Sequence, residues 1–121
     1  MSDPKRILIV EDEALILLDL ENALSELGHS VVSADSASGG EALLMSDQID
    51  MAIIDFHLKD GTSAGLARQL GDRGIPFVLC TGTARSDELL EAPQRTVFLG
   101  KPYTSDGLRK AVEQGLAVGA S

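Results

Sequence analysis

The chain has 121 residues, enough for one hydrophobic core and too few for two ordinary domains, so we expect one domain over residues 1–121. Nineteen acidic residues against ten basic ones give a net charge of −9, which disfavours direct binding to nucleic acid or to an anionic membrane. No apolar segment approaches the roughly 18 residues of a membrane span, and the first residues do not form a signal peptide. We therefore expect a cytoplasmic protein.

Cys80 is the one cysteine in the sequence, and its apolar neighbours predict a buried thiol.

Five short apolar segments predict β-strands, because they are rich in β-branched residues and are bounded by polar or turn-forming ones. They are Ile7 to Val10, Val31 to Ala34, Met51 to Ile54, Phe77 to Cys80 and Val97 to Leu99. Each is apolar along most of its length, which is typical of strands in a parallel sheet that is covered on both faces.

A helix is predicted from Ala14 to Leu27, with Gly28 as its stop. Its buried face consists of the leucines that recur at steps of three and four residues, namely Leu17, Leu20, Leu24 and Leu27. Leu15 and Leu18 fall outside this stripe, so we expect them to be solvent-exposed and able to contact a partner protein.

Four further helices are predicted between and after the strands. Their starts are Ser36 or Ser38, Thr62 or Ser63, Ser86 (a short helix to Ala92), and Thr104 or Ser105. Strands that alternate with helices imply right-handed crossovers and a parallel sheet between two helical layers. We therefore predict a five-stranded, doubly wound α/β domain.

Polar residues follow the predicted strands, at the edge of the sheet where ligands bind in open α/β folds. They are Glu11, Asp12 and Glu13 after the first strand, Asp55 after the third, Thr81 and Gly82 after the fourth, and Lys101 and Pro102 after the fifth. Each residue alone is compatible with a cap or a solvated surface group. Gathering several carboxylates at one edge costs free energy unless a cation binds, so the set together predicts a hard metal ion.

Mg²⁺ suits this set, because Asp12 and Asp55 supply oxygen ligands and Glu11 can act through a water molecule. Asp55 is then the candidate nucleophile, since a carboxylate forms an acyl phosphate when surrounding groups neutralise the transferring phosphoryl group. The metal ion, Lys101 and the Thr81 hydroxyl are the groups expected to do so.

The segment Ile-Leu-Ile-Val-Glu11-Asp12-Glu13, with Asp55, Thr81 and Lys101-Pro102 in this order and spacing, resembles response-regulator receiver domains over nearly the whole chain. The resemblance implies a (βα)5 flavodoxin-like fold with strand order 2-1-3-4-5. It also implies that Asp55 accepts phosphate from the phosphohistidine of a histidine kinase or phosphotransfer protein, that Glu11 and Asp12 hold magnesium, and that Thr81 and Lys101 sense the phosphoryl group. Such a domain is a phosphoacceptor rather than a turnover enzyme.

Three further roles follow from the resemblance. Pro102 would be preceded by a cis peptide bond, although a trans turn remains an alternative. Phe98 would be the switch aromatic coupled to Thr81, or else a core residue. His57, in a loop shorter than is usual in the family, would give its backbone carbonyl to the metal, and its imidazole would either influence dephosphorylation or be a surface group.

Part of the chain resembles the FAT GUY receiver subgroup, whose members usually have no attached output domain. The resemblance lies in Pro76 to Gly82 and Phe98 to Tyr103, while Leu79, Cys80 and Thr83 depart from the subgroup pattern.

Other classes fit less well. A haloacid dehalogenase-type hydrolase needs a second acid where His57 stands, and a flavodoxin-like cofactor binder needs a phosphate loop where Glu11 to Glu13 would repel phosphate. A receiver-like module that binds partners without phosphorylation, and a receiver fragment of a hybrid kinase, remain alternatives. The cognate kinase, the downstream target and phosphorylation-dependent dimerisation are left open.

Overall fold

The computed structural model describes residues 5–81, 97–100 and 104–120, without the side chains at 81, 97, 98, 105 and 117–120. Strands and helices alternate in the order β1 Arg6–Val10, α1 Ala14–Glu26, β2 Ser30–Ala34, α2 Ala37–Ser46, β3 Met51–Asp55, β4 His57–Leu58, β5 Gly61–Thr62, α3 Ala64–Asp72, β6 Phe77–Thr81, β7 Val97–Gly100 and α4 Ser105–Ala120. Within these described ranges, no helix is both long enough and apolar enough to cross a membrane. The predicted helix from Ser86 to Ala92 lies outside the described residues.

The five long strands form one parallel sheet in the order β2-β1-β3-β6-β7. Without the two short strands β4 and β5, this is the predicted order 2-1-3-4-5, so the flavodoxin-like fold is confirmed. All five residues of the central strand β3 are buried: Met51 to Ile54, as their apolar sequence indicated, and also Asp55 at its end. Val10 pairs with Ile54, so the residues that follow them in the chain emerge at the same edge of the sheet.

The core has two layers, one on each face of the sheet, because successive strand residues point to opposite faces. One layer packs β1 and β3 residues such as Leu8 and Ile54 against α2 and α3. The other packs Ile7 and Ile53 against α1 and α4. Cys80 is buried in this second layer, as predicted.

Helix α1 confirms most of the predicted stripe. Leu20 and Leu24 are buried, Leu17 is half-buried, and Leu15 and Leu18 are exposed at 79% and 52%. The expectation for Leu27 was wrong, since its exposure is 45%. The helix ends at Glu26, and Gly28, at φ 90°, turns the chain away while the amides of Gly28 and His29 donate to Ser25 and Leu24 carbonyls. Leu27 therefore lies beyond the last turn that contacts the core.

Two of the predicted helix caps are present. The Ser36 hydroxyl accepts from the Gly39 amide at 3.1 Å in α2, and the Thr104 hydroxyl accepts from the Gly107 amide at 3.0 Å in α4. Ser63 precedes α3 but makes no cap bond, because its ψ of 17° departs from the extended backbone that a cap residue needs. Among the described residues, its hydroxyl is buried without a hydrogen-bond partner.

The unpaired Ser63 hydroxyl should reduce stability. Because a buried polar group without a partner costs about 1–3 kcal/mol, Ser63→Ala is expected to raise the free energy of unfolding by about 1 kcal/mol. Ser36→Ala, which removes a real cap bond, should lower it by about 0.5–2 kcal/mol. Urea unfolding of both variants checks the pair, and a loss of stability in both would contradict our assignment for Ser63.

Candidate functional site

Three carboxylates meet at the carboxyl edge of the sheet. Glu11 follows β1 and Asp55 ends β3, so the pairing of these adjacent strands brings the two side chains together. With Asp12 they form a group in which one carboxylate oxygen of each residue lies within 4.8 Å of the others. Glu11 and Asp55 are only 2% and 7% exposed. The structure thus brings together three of the residues predicted for the metal site.

The backbone around this group is held by ladder hydrogen bonds that continue past the strand ends. The Glu11 amide donates to the Ala34 carbonyl at 3.1 Å, and the Phe56 amide donates to the Cys80 carbonyl at 2.8 Å. One oxygen of Glu11 also accepts the Glu13 amide at 3.2 Å, which orients this carboxylate from its own loop. The acidic residues therefore lie on fixed backbone rather than on a flexible tip.

The donor set fits a divalent metal ion. Carboxylates at this spacing repel one another, and the repulsion is strong where burial removes screening water. A hard cation with oxygen coordination removes this cost, and Mg²⁺ requires few protein ligands because it keeps several waters. Asp12 is half-buried whereas Glu11 and Asp55 are buried, so the group keeps a solvent-accessible member that an ion can approach.

A small antiparallel hairpin follows Asp55 directly and was not predicted. His57 pairs with Thr62 and Leu58 with Gly61, so β4 and β5 enclose the turn Lys59–Asp60. A sequence signal was available, because Asp and Gly, here Asp60 and Gly61, are frequent in tight turns. Gly61, at φ 128°, adopts a conformation that side chains disfavour.

The His57 side chain is exposed, and its ring packs edge-on against the buried Phe56 ring with centroids 4.9 Å apart. This contact explains the orientation of the imidazole without a catalytic role. The predicted use of the His57 backbone carbonyl as a metal ligand stays a prediction.

The hairpin turn is bound to the segment before α2. Asp60 accepts the backbone amides of Ala37 and Ser38 at 3.0 and 3.3 Å, and these two bonds lower its pKa. Lys59 donates to Asp35 at 2.8 Å, which lowers the pKa of Asp35 and raises that of Lys59. The Asp12 carboxylate also raises the pKa of Lys59 by its charge. Sequence reasoning missed these contacts, because the partners of the turn lie 22 to 24 positions away in the chain and no sequence pattern connects them.

The remaining predicted residues lie partly or wholly outside the described part of the chain. Thr81 ends β6 and pairs with Gly100, and Phe98 pairs with Leu79 in the sheet, but their side chains are not described. Lys101 and Pro102 lie outside the described residues altogether. Their phosphate-sensing, switch and cis-proline roles stay predictions.

Comparison with known proteins decides the family. The family model described as "Response regulator receiver domain" matches residues 7–113. The chain belongs to this family. The match includes four of the five residues of β1 and the other four long strands in full, so the acidic edge of the sheet falls within it.

The receiver domain is similar to two groups of known proteins. Among curated relatives, it is 30% identical to the transcriptional regulatory protein GlrR of Escherichia coli (strain K12) and 32% identical to PdtaR of Mycobacterium tuberculosis (strain ATCC 25618 / H37Rv). These matches cover 93% and 91% of this chain but only 26% and 56% of the relatives, so the chain spans a part of each.

Among solved structures, SdrG from Sphingomonas melonis Fr1 is 37% identical with a TM-score of 0.78, over 96% of this chain and 99% of that one. The receiver domain of an HD domain-containing protein from Pseudomonas fluorescens Pf-5 has a TM-score of 0.87 at 24% identity, over 98% of both chains. The second likeness shows the fold alone.

Proposed function

We propose that this receiver domain accepts a phosphoryl group on Asp55 in a Mg²⁺-dependent reaction and signals through protein–protein contacts. The observation that carries the proposal is the buried Asp55 carboxylate, with an oxygen within 4.8 Å of those of Glu11 and Asp12 at the carboxyl edge of the sheet. A nucleophilic carboxylate beside two further carboxylates matches the needs of phosphoryl transfer assisted by a metal ion.

Each residue of the site has a proposed role in phosphoryl transfer. An Asp55 oxygen attacks phosphorus, and the bond between phosphorus and the donor's imidazole nitrogen breaks, which returns a neutral histidine to the donor. Asp12, Asp55 and the His57 backbone carbonyl would bind Mg²⁺ directly, and Glu11 would hold a metal-bound water. The bound ion supplies neutralisation of phosphoryl charge. Lys101 and Thr81 would contact the phosphoryl oxygens, and hydrolysis of the acyl phosphate would reset Asp55.

The proposed function also implies two kinds of partner protein. A histidine kinase or phosphotransfer protein would donate the phosphoryl group, and a further protein in the cytoplasm would receive the signal. The exposed Leu15 and Leu18 lie on the first turns of α1, just after the acidic residues, and suit an apolar contact with the donor. The net charge of −9 opposes direct contact with nucleic acid. Phosphorylation-dependent dimerisation is a further outcome that the phosphorylated protein can be tested for.

Intact-mass spectrometry after incubation with acetyl phosphate tests the proposal. The native chain should gain one phosphoryl group with Mg²⁺ and none with a chelator, since the carboxylate cluster needs a cation before it can receive an anion. Asp55→Asn should gain none, because an amide oxygen is a poor nucleophile.

Asp50→Asn is the matched control, because Asp50 is exposed and lies before β3, at the amino edge of the sheet. It should be phosphorylated like the native chain. A native chain that remains unmodified with acetyl phosphate and with a histidine kinase would favour the alternative of a module that binds partners without phosphorylation.

A further inference from the structure

The hairpin turn and the start of α2 form one connected unit, which we call the hairpin clamp. It consists of the side chains of Asp35, Lys59 and Asp60 with the backbone amides of Ala37 and Ser38. The bonds join residues 22 to 24 positions apart in the chain, so they fix two loops relative to each other rather than one loop internally.

Asp60 is the stronger part of the clamp. Its two oxygens each accept one amide from the first turn of α2, where the helix dipole favours a negative charge. The Ser36 hydroxyl and carbonyl accept the next two amides, so the first four amides of α2 are all satisfied. By contrast, Lys59 and Asp35 are 58% and 67% exposed, and an ion pair in water at this exposure adds little.

The other end of the hairpin is fixed in the core. Phe56 is 1% exposed, its amide donates to Cys80, and its carbonyl accepts the Ser63 amide at 2.9 Å. His57, Leu58 and Lys59 therefore run between two anchors, Phe56 in the core and Asp60 on α2. The position of the His57 backbone carbonyl depends on both anchors.

We propose that the hairpin clamp positions the His57 backbone carbonyl and thereby determines the Mg²⁺ affinity of the acidic site, with Asp60 as the positioning residue. The inference rests on the proposed function, in which that carbonyl is a metal ligand. Mg²⁺ requires near-ideal octahedral geometry. A mobile ligand therefore binds the ion less tightly than a ligand whose position is fixed. Asp60 itself does not touch the ion in this scheme.

Lys59 is expected to lower the Mg²⁺ affinity that Asp60 raises. Its ammonium group donates at 2.8 Å to Asp35, which follows β2 at the same edge of the sheet as the acidic site, so its positive charge competes with a cation there. Lys59→Met leaves both Asp60 bonds in place and removes the competing charge. It should therefore bind Mg²⁺ at least as tightly as the native chain.

The test is a titration of Mg²⁺ into the ¹⁵N-labelled chain by NMR, at physiological ionic strength to screen distant charges. Asp60→Ala should weaken Mg²⁺ binding about tenfold, the lower end of the loss seen when groups that orient a metal ligand are removed. Asp60→Asn loses the same charge but keeps one amide oxygen as an acceptor, so its affinity should lie between those of Asp60→Ala and the native chain. The Ala37 and Ser38 amide resonances should shift upfield in step with the lost bonds.

Asp50→Ala is the matched structural control. Asp50 is also an exposed aspartate that accepts a backbone amide, from Arg6 at 2.8 Å, but at the opposite edge of the sheet. This variant should bind Mg²⁺ like the native chain, so a general loosening of the fold is separated from loss of the clamp.

Three outcomes would overturn the inference. Native affinity in Asp60→Ala would show that the clamp does not position a ligand, and equal weakening in Asp60→Asn and Asp60→Ala would assign the effect to charge alone. Both outcomes leave the proposed function standing. A native chain that binds no Mg²⁺ would overturn the inference and the proposed function together. If Asp60→Ala fails to fold, the Mg²⁺ affinities of Asp60→Asn and Lys59→Met are compared instead. The inference expects weaker binding in Asp60→Asn, and equal affinity in the two variants would contradict it.

Discussion

Asp12→Asn is expected to raise the free energy of unfolding of the metal-free receiver domain and to abolish the stabilisation that we expect Mg²⁺ to give the native chain. Like charges within 4.8 Å of one another repel by about 3 kcal/mol or more at an effective dielectric constant of about 20. Solvent around the half-buried Asp12 screens part of this repulsion, so the expected gain is on the order of 1 kcal/mol. The amide keeps the shape of the side chain and removes only its charge.

The same variant should lose the response to metal. An ion that binds only the folded state stabilises it by about 2.7 kcal/mol at a hundred times its dissociation constant. The native chain should show this increase on addition of Mg²⁺, and Asp12→Asn should show little or none. Urea unfolding of both proteins, with Mg²⁺ and with a chelator, gives the four values needed. Destabilisation of the metal-free variant would contradict the repulsion argument.

Gly40→Ala is expected to lower the free energy of unfolding by about 1–3 kcal/mol, through overpacking. A Cβ atom on Gly40 would lie 2.7 Å from Val10 Cγ2 and 3.0 Å from Leu66 Cδ2, well inside the usual carbon–carbon separation of about 3.5–4.0 Å. Val10 and Leu66 are both buried, so neither has free space to move into. The strain should exceed the roughly 1 kcal/mol that alanine gains over glycine in a helix.

Gly65→Ala is the control for helix propensity. Gly65 is exposed in the first turn of α3, and a Cβ atom there would lie 3.7 Å from Glu41 Oε1, an ordinary contact. This variant should be stabilised by up to about 1 kcal/mol. Thermal or urea unfolding of the two variants should therefore give shifts of opposite sign. Stabilisation of both would show that α2 can move away from β1 without cost.

The sheet could be predicted from sequence because four of its five strands contain three or more consecutive apolar residues. Met51 to Ile54 is the clearest example, since a central parallel strand has no solvent-facing side and so allows no polar position. The acidic site followed from the same logic. Residues after the strand ends must meet at one edge, so Glu11, Asp12 and Asp55 could be grouped before their distances were known.

The features that escaped prediction depend on contacts between distant segments or on local backbone angles. In the sequence, Asp60 has the features of an ordinary turn residue. No neighbouring residue indicates that its carboxylate accepts backbone amides from α2. Leu27 continues the leucine spacing, but helix α1 ends one residue earlier and leaves it exposed. Ser63 has the right residue type and place for a cap, yet its ψ of 17° directs the hydroxyl elsewhere. Residue pattern carries none of this information.

The division of the core into two layers has a consequence for how such a domain can diversify. The exposed leucines of α1 belong to the layer that α1 and α4 form, whereas the hairpin clamp reaches across to α2, in the other layer. Substitutions that alter recognition at α1 are therefore separated by the whole sheet from the contacts that hold the hairpin. Duplicated copies of the gene can acquire new binding partners at α1 while inheriting the same acidic site around Asp55.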